Sequence, residues 1–404
     1  MSYDGEVNAL SARLPWSSPE NALASLTRAR KARGDLIDLT GSNPTAVGLP
    51  YPADRLAAAL AQTGGAGYEP APLGLPAARA AVAAEYRRAG VIVDPDRVVI
   101  TASSSESCSF LFKLLCDPGD AVLVPEPSYP LYDYLAHLDG VVPVRYRLAF
   151  DGSWHIDFTS VSAALAACRT RGARPRAVVV VNPNNPTGSF LERGEVARLA
   201  AVAAEADLAI IADEVFAAYA STDDPGRVST VAIAPALAAA APAFSLGGLS
   251  KSCGLPQLKL GWMVVGGRDA PTCLAGLELI ADSYLSVATP VQQALPELFA
   301  LGAEVRVAIA TRVAANRAHL AAALTAVPSS TLLRAQAGWT AIVRLPSVRS
   351  DEAWAASLVT DAGVLVQPGY FFDLSGGTFI VMSLLPEPGL FAEGIRRLTR
   401  HIGT

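Results

Sequence analysis

The stretch VVVVNPNNPTG (178–188) joins four consecutive valines to a turn that contains two prolines and three asparagines. A short apolar run that ends abruptly in Asn-Pro is typical of a strand buried on both faces of a sheet. Polar residues after such a strand lie at its carboxyl end, where open α/β sheets bind ligands. An ordinary Asn-Pro turn accounts for the same residues, so this stretch alone leaves both interpretations open.

Similar apolar runs recur on both sides of this stretch and alternate with alanine-rich segments that favour helices. The alternation predicts an α/β fold with a large, doubly wound, mainly parallel sheet, which we place at residues 45–290. The other runs are RVVIT (97–101), AVLVP (121–125), LAIIADE (208–214), FSLGGLSK (244–251) and WMVVGG (262–267).

The pattern changes after Pro290. A long helical segment, roughly 292–327, tolerates Pro296 only near its first turn. Strand-like runs then follow between helical segments, which predicts a linking helix and a smaller α+β domain over 291–404. We assign residues 1–44 to an N-terminal arm that completes this small domain. The strand-like runs are TAIVRLP (340–346), VLVQPG (364–369) and TFIVMSLL (378–385).

Composition excludes several classes of protein. The net charge of −5, with scattered Lys and Arg, argues against nucleic acid as a partner. No uncharged apolar run approaches the ~20 residues that span a bilayer, and the first residues lack the apolar core of a secretory signal. We therefore expect a cytoplasmic protein. An odd number of cysteines without a CxxC pair argues against a disulfide framework, and four isolated histidines argue against a metal site.

Two residues with reactive side chains lie at predicted strand ends. Asp213 closes an apolar strand, where a carboxylate needs a cationic or hydrogen-bonding partner; a helix N-cap is the alternative. Lys251 follows another strand, and Ser250 stands where a P-loop requires glycine. A lysine among apolar neighbours has a lowered pKa and can form a Schiff base, whereas most lysines are solvated.

The ordered set EPSYPLY (126–132), NPNNPTG (182–188), ADEVF (212–216) and SKSCGLPQLKLGW (250–262) resembles the class I and II aminotransferases of pyridoxal 5′-phosphate (PLP) fold type I. The resemblance runs from about Ile37 to the C-terminus. It implies transfer of an amino group between an amino acid and a 2-oxo acid. Another PLP reaction on the same scaffold, such as β-elimination, decarboxylation or replacement, is the alternative. A PLP-binding regulator is a weaker one, because about 35 residues are too few for a DNA-binding domain.

The resemblance implies roles for the residues at matching positions. Lys251 would carry the cofactor as a Schiff base and move the substrate proton, while Asp213 would keep the pyridinium nitrogen protonated. Asn185 would bond to the ring oxygen O3′ and contact substrate. Tyr129 would stack on the ring, so we count it with Lys251 and Asp213 as catalytic.

The resemblance also implies a phosphate site and a site shared between subunits. The phosphate would be held by Ser104, Ser105, Ser250 and Lys259, the last where the family usually has arginine. Tyr68 matches a tyrosine that reaches the neighbouring subunit's phosphate, which implies a homodimer. Gly41 and Asn43 match a segment that closes over the substrate carboxylate, although a surface turn explains them equally well.

Two positions depart from the family pattern. Phe216 replaces a tyrosine that donates to O3′, so one hydrogen bond to the cofactor is lost. Val381 stands where the family has the arginine that binds the substrate α-carboxylate. Arg13, Arg344 and Arg349 are conceivable substitutes that spacing does not rank. We expect a neutral or hydrophobic amino donor for this reason.

Overall fold

The computed structural model describes residues 11, 13–14, 21–61, 67–220 and 226–403. Much of the predicted N-terminal arm, at 1–10, 12 and 15–20, therefore lies outside the described residues. The strands are β1 Ile37–Asp38, β2 Val98–Thr101, β3 Ala121–Glu126, β4 Val142–Phe150, β5 Trp154–Ile156, β6 Pro175–Val181, β7 Ala209–Asp213, β8 Pro242–Gly248, β9 Gly261–Gly267, β10 Thr331–Leu332, β11 Thr340–Leu345, β12 Val364–Leu365, β13 Gln367–Pro368 and β14 Thr378–Ser383.

Helices alternate with the strands over most of the chain. They are α1 Ala22–Lys31, α2 Ala53–Ala61, α3 Pro76–Arg88, α4 Ser104–Leu115, α5 Leu131–Leu138, α6 Phe158–Thr170, α7 Arg193–Ala206, α8 Leu249–Ser252, α9 Ala270–Asp282, α10 Thr289–Gln293, α11 Leu295–Leu324, α12 Asp351–Ser357 and α13 Pro388–Ile402. Within the described ranges, none of these helices is long and apolar enough to cross a membrane.

The large sheet has the strand order β2-β9-β8-β7-β6-β3-β4-β5. Neighbours from β8 through β4 pair in parallel, whereas β9 is antiparallel to both β2 and β8, and β5 is antiparallel to β4. This sheet confirms the predicted α/β fold. Strands β4 and β5 escaped the sequence analysis because Arg145 and Arg147 project from β4 to solvent and interrupt its apolar run.

The topology gathers five loops at one edge of the large sheet. The carboxyl ends of β3, β6, β7 and β8 meet there because these strands are parallel. Strand β2 ends at the same edge, since β9 reverses direction between β2 and β8. The residues after these strands include Ser104, Tyr129, Asn185, Asp213 and Lys251, most of the predicted site.

A second, smaller sheet has the order β10-β11-β14-β13 and is antiparallel throughout. Strand β1 pairs in parallel with β12, so the N-terminal segment joins the C-terminal part of the chain. The predicted long helix is divided: α10 ends at Gln293, and α11 begins at Leu295 with Pro296 in its first turn. Helix α11 contributes Leu298 to the core of the large sheet and Ile309 to the core of the small one. The boundaries 1–44, 45–290 and 291–404 stay a prediction.

Strand β9 packs unusually closely against the start of α4. A Cβ atom added to Gly261 would lie 2.9 Å from the carbonyl carbon of Ser103 and 3.1 Å from the carbonyl oxygen of Gly247. Backbone atoms on both sides cannot yield easily, so glycine is required at this crossing.

We expect Gly261→Ala to lower the free energy of unfolding by about 1–3 kcal/mol, because the added methyl group overpacks this crossing. The measurement is urea unfolding of the full chain. Gly194→Ala is the matched control, since its added methyl group meets no atom within 4 Å and lies in α7. Equal midpoints for both variants would contradict the argument.

Candidate active site

Lys251 lies in the short helix α8, directly after β8. Its backbone carbonyl accepts a hydrogen bond of 2.7 Å from the Tyr219 hydroxyl, which fixes the turn. Its Nζ atom lies 5.6 Å from the ring centroid of Phe216 and 5.3 Å from that of Trp339. Burial lowers the pKa of the Lys251 amine, while the charge of Asp213 acts in the opposite direction. A larger fraction of this amine is therefore neutral, as a nucleophile requires.

Asp213 is the last residue of β7 and is 6% exposed. Its Oδ2 atom accepts a hydrogen bond of 2.8 Å from the Tyr132 hydroxyl, and Oδ1 accepts one of 3.2 Å from the Val215 amide. The second bond is a local turn contact, so the capping interpretation accounts for one oxygen only. Burial raises the pKa of Asp213 because it disfavours the charged form, while the two hydrogen bonds and the charge of Lys251 act in the opposite direction. A buried carboxylate of this kind fits the protonated ring nitrogen of PLP, which supplies a cation.

Tyr132 is a site residue that the sequence analysis missed. It is buried and follows Tyr129 by three residues, in the first turn of α5. The motif EPSYPLY (126–132) contains this tyrosine, but Tyr129 precedes α5 and Tyr132 lies within it, so spacing alone does not show where the second hydroxyl points. Its hydroxyl connects the loop after β3 to the acid at the end of β7.

The three asparagines of the 182–188 loop differ in their contacts. Asn182 accepts from the Leu191 amide and donates to the Val228 carbonyl. Asn184 donates to the Pro127 carbonyl and accepts from Thr187. Both therefore hold the loop in place. Asn185 is half-buried, and no group in the described ranges bonds to its side-chain amide, which suits a ligand-binding role.

The start of α4 has the features of an anion site. The Ser103 hydroxyl accepts from the Glu106 amide, and Glu106 accepts in return from the Ala102 amide, so Ser103 is the N-cap. Ser104 and Ser105 are then the first helical residues, whose amides have no acceptor within the helix. Such amides fit the phosphate of PLP.

Two further predicted phosphate ligands lie on neighbouring elements. The crossing at Gly261 brings β9 against the N-cap of α4, and Lys259 precedes that glycine by two residues. Lys259 is exposed and adopts a positive φ of 47°. Ser250 is half-buried beside Lys251 in α8.

Four predicted residues lie nearer the surface. Tyr129 is 47% exposed, and its ring contacts Phe371 and Phe372. Tyr68 is 67% exposed. Asn43 accepts from the amide and hydroxyl of Thr45, so the surface-turn interpretation accounts for its side-chain oxygen. Gly41 is half-buried, with open space where a Cβ atom would lie. Their predicted roles remain predictions.

Val381 is 1% exposed and lies in β14 opposite Ile342 of β11. It belongs to an apolar cluster, which we call the Val381 cluster: Leu333, Ile342, Phe372, Leu374, Phe379 and Val381. The position where the family has its carboxylate-binding arginine is thus apolar.

The three arginines considered as substitutes are held by other contacts. Arg13 donates to the Leu138 carbonyl, and Arg349 donates to Ser357 and lies over the Trp354 ring. Arg344 lies on the same sheet face as Val381, but its guanidinium lies over the ring of Phe379, the residue opposite it on β14.

Phe216 is 9% exposed, and its ring meets Trp339 edge-on at 5.1 Å. This ring lies beside the amine of Lys251, where the family's tyrosine would present a hydroxyl. The position is therefore part of the site, but it contributes packing without a hydrogen bond.

Comparison with known proteins agrees with this geometry. Residues 35–386 match the family model described as aminotransferase class I and II. The chain is 30% identical to the valine–pyruvate aminotransferase of Mycobacterium tuberculosis, over 93% of each protein. It is 26% identical to a glutamate–pyruvate aminotransferase of Haemophilus influenzae, over 81% of each. The solved alanine aminotransferase of Pyrococcus furiosus shares the fold, with a TM-score of 0.82 at 24% identity, over 98% of this chain and 99% of that one.

Tyr132→Phe is expected to raise the dissociation constant of PLP by roughly tenfold or more, because a hydrogen bond to a charged group is worth about 1.5–3 kcal/mol. Without that donor the pKa of Asp213 rises further, so a larger fraction of the acid is neutral and cannot pair the ring nitrogen. The measurement is titration of the apoprotein with PLP at several pH values. The weakening should grow as the pH falls.

Tyr146→Phe is the matched control. It removes a hydroxyl from another buried tyrosine, on β4, which donates over 2.8 Å to the Val179 carbonyl and does not bond to Asp213. We expect PLP to bind this variant as it binds the wild type. Equal weakening in both variants would show that Tyr132 acts only through stability.

Phe216→Tyr tests whether the lost hydroxyl matters. A phenol at this position restores a donor beside Lys251, which stabilises the deprotonated oxygen O3′ and so favours loss of the nearby proton. We expect the pH midpoint of the visible absorption band of the PLP-bound protein to fall. An unchanged or higher midpoint would contradict the assignment of this position.

Proposed function

The chain belongs to the class I and II aminotransferase family and is a PLP-dependent aminotransferase, and we propose that it transfers the amino group of a small neutral or hydrophobic amino acid to pyruvate or a related 2-oxo acid. The observation that carries the proposal is that the Lys251 amine, which lies beside the rings of Phe216 and Trp339, and the buried acid Asp213 lie at one edge of the large sheet. The names of similar proteins, valine–pyruvate, glutamate–pyruvate and alanine aminotransferase, favour this range of substrates.

Bound PLP supplies an electron sink for the pair left on Cα when a Cα bond breaks. We assign Lys251 two tasks: its neutral amine would hold the cofactor and, once the substrate amine has displaced it, would take the proton from Cα. Asp213 would remain ionised to pair the ring nitrogen, and Tyr132 donates its hydroxyl to that carboxylate. The amide of Asn185 would bind O3′ and the substrate, and Tyr129 would cover one face of the ring.

We assign the phosphate to the α4 amides of Ser104 and Ser105, the Ser250 hydroxyl and the charge of Lys259. Lysine supplies a point charge in place of the fork that arginine would present, so it neutralises phosphate without fixing its orientation. Gly41 and Asn43 would close over the substrate from the N-terminal side.

The apolar surroundings favour an uncharged substrate side chain. The Val381 cluster and the neighbouring rings of Tyr129 and Phe371 line the region that carries an arginine in the family. Burying a second carboxylate against these groups without a cation is costly. Aspartate and glutamate should therefore be poorer donors than alanine or valine.

We also propose a cytoplasmic homodimer with shared active sites. The exposed ring of Tyr68 supports the dimer, because such a side chain is available to a second copy of the chain. The five cysteines, Cys108, Cys116, Cys168, Cys253 and Cys273, are free, which suits a reducing compartment.

A single half-reaction tests the proposed function. The PLP-bound protein is mixed with L-alanine, L-valine or L-aspartate in the absence of a 2-oxo acid. We expect conversion of the cofactor to pyridoxamine phosphate with one equivalent of oxo acid from alanine and valine, and about tenfold or more slower conversion with aspartate.

Lys251→Ala should abolish this conversion and the adduct trapped by borohydride, whereas Lys113→Ala should retain both. Lys113 is a matched lysine because it lies on the surface in an ion pair with Asp139. Failure of every amino acid to yield an oxo acid with the wild type would refute the proposed function.

A further inference from the structure

The described site lacks the arginine that would bind a substrate carboxylate at position 381, yet an amino acid substrate carries that charge next to its reacting carbon. A group that binds it must lie close to Lys251, because the substrate amine reacts where the lysine amine stands. The side chains around Lys251 Nζ are therefore the candidates for binding the carboxylate.

Trp339 is the residue immediately before β11, and its indole ring centroid lies 5.3 Å from Lys251 Nζ. The ring meets Phe216 and Tyr219 edge-on, at 5.1 and 5.0 Å between centroids. The side chain is 2% exposed. These contacts leave the indole little freedom to turn.

The backbone around Trp339 is anchored to the loop that carries Asn185. The Gln336 amide donates to the Gly188 carbonyl, and the Thr340 hydroxyl donates over 2.9 Å to the Pro186 carbonyl. The Trp339 carbonyl accepts from the Leu384 amide of the chain that follows β14. Trp339 is thus held between Lys251 and the Asn185 loop.

The indole nitrogen Nε1 of Trp339 is buried and has no hydrogen-bond partner in the described part of the chain. An unsatisfied buried donor costs about 1–3 kcal/mol, and native proteins rarely retain one without a purpose. The Trp354 N–H, which is also buried, donates to the Pro346 carbonyl. The Trp154 N–H lacks a partner as well, but its ring packs against Phe150 in the β4–β5 hairpin.

The dimensions of an amino acid match this position. The carboxylate carbon lies about 2.5 Å from the amino nitrogen, and its oxygens lie roughly 3–3.5 Å away. A hydrogen bond to an N–H group adds about 2.9 Å. A carboxylate attached to a substrate whose amine replaces that of Lys251 therefore has a reach of about 6 Å, which spans the 5.3 Å between Lys251 Nζ and the centroid of the Trp339 indole.

On the basis of the proposed function, we propose that the indole N–H of Trp339 binds the substrate α-carboxylate, with the Asn185 amide as a second donor. The subsite is neutral, because two uncharged donors replace a guanidinium. It consequently binds a carboxylate more weakly than a bidentate arginine does. A substrate without a carboxylate therefore loses less binding free energy here than at an arginine.

Two arginines lie near this segment, but neither position suits the α-carboxylate. Arg317 donates over 2.8 Å to the Thr340 carbonyl, and Arg344 lies over the Phe379 ring. Arg344 also lies four residues beyond Thr340 along β11, which is about 13 Å at the rise of a strand.

The test compares Trp339→Phe with the wild type in the half-reaction. Phenylalanine keeps an aromatic ring against Phe216 and Tyr219 but removes the donor. We expect kcat/KM for L-alanine to fall about 10- to 100-fold, the effect of losing one hydrogen bond to a charged group. With 2-aminobutane, an amine that has no carboxylate, kcat/KM should change less than twofold. The pH midpoint of the visible band without substrate should also remain unchanged.

Two controls separate the subsite from general damage. Trp354→Phe removes a buried indole of the small sheet's core and should leave the preference for alanine over 2-aminobutane unchanged. Arg344→Gln should leave kcat/KM for alanine unchanged. A tenfold loss in Arg344→Gln would overturn the proposal in favour of that arginine.

An equal loss of kcat/KM for alanine and for 2-aminobutane in Trp339→Phe would also overturn the proposal. So would a shifted pH midpoint of the visible band, because it would show that the indole N–H bonds to the cofactor. These outcomes differ from a failure of the proposed function. If the wild type converts alanine and Trp339→Phe does so equally well, only the carboxylate subsite is wrong. If the wild type converts no amino acid, the function itself is wrong.

Discussion

The burial of one carboxylate, that of Asp213, is the constraint on which the rest of the site depends. A charge at the end of an inner strand is tolerated only with donors on both oxygens and a cation nearby. Tyr132 and the Val215 amide supply the donors. The protonated ring nitrogen of PLP would supply the cation. The parallel arrangement of β7 and β8 brings the acid and the amine to one edge, so the fold itself makes the pairing possible.

The sequence indicated that Asp213 and Lys251 lie at strand ends, whereas their joint role was implied by the family resemblance. Continuous apolar runs that stop at Asp213 or before Lys251 predict both the strands and the edge at which their next residues meet. Strand β4 was missed because its outward arginines interrupt the apolar run, and β5, the edge strand that pairs with it, has only three residues. Tyr132 was missed although its motif had been noticed, since a hydrogen bond across 81 residues depends on how α5 packs against the sheet.

The substrate side of the site was harder to predict for a different reason. Sequence comparison with a family shows which residue is absent, as at Phe216 and Val381, but not which residue takes its place. Trp339 lies in the small domain, far along the chain from the other site residues, and reaches Lys251 only because the 336–340 segment is anchored to the Asn185 loop. Its unpaired N–H is visible only once the packing is known.

The loss of the arginine also changes the electrostatics of Lys251. A guanidinium close to the substrate would lower the pKa of the amine by repulsion between like charges. Here burial is the main cause of the lowered pKa, and the attraction of Asp213 acts against it. The rings of Phe216 and Trp339 lie beside the amine and exclude water from it. They therefore lower the pKa of Lys251 by burial, where a nearby cation would lower it by repulsion. The same aromatic side chains thus lower the pKa of the amine and provide the proposed neutral subsite for the carboxylate. Beside the reactive amine, aromatic packing takes the place of a charged side chain.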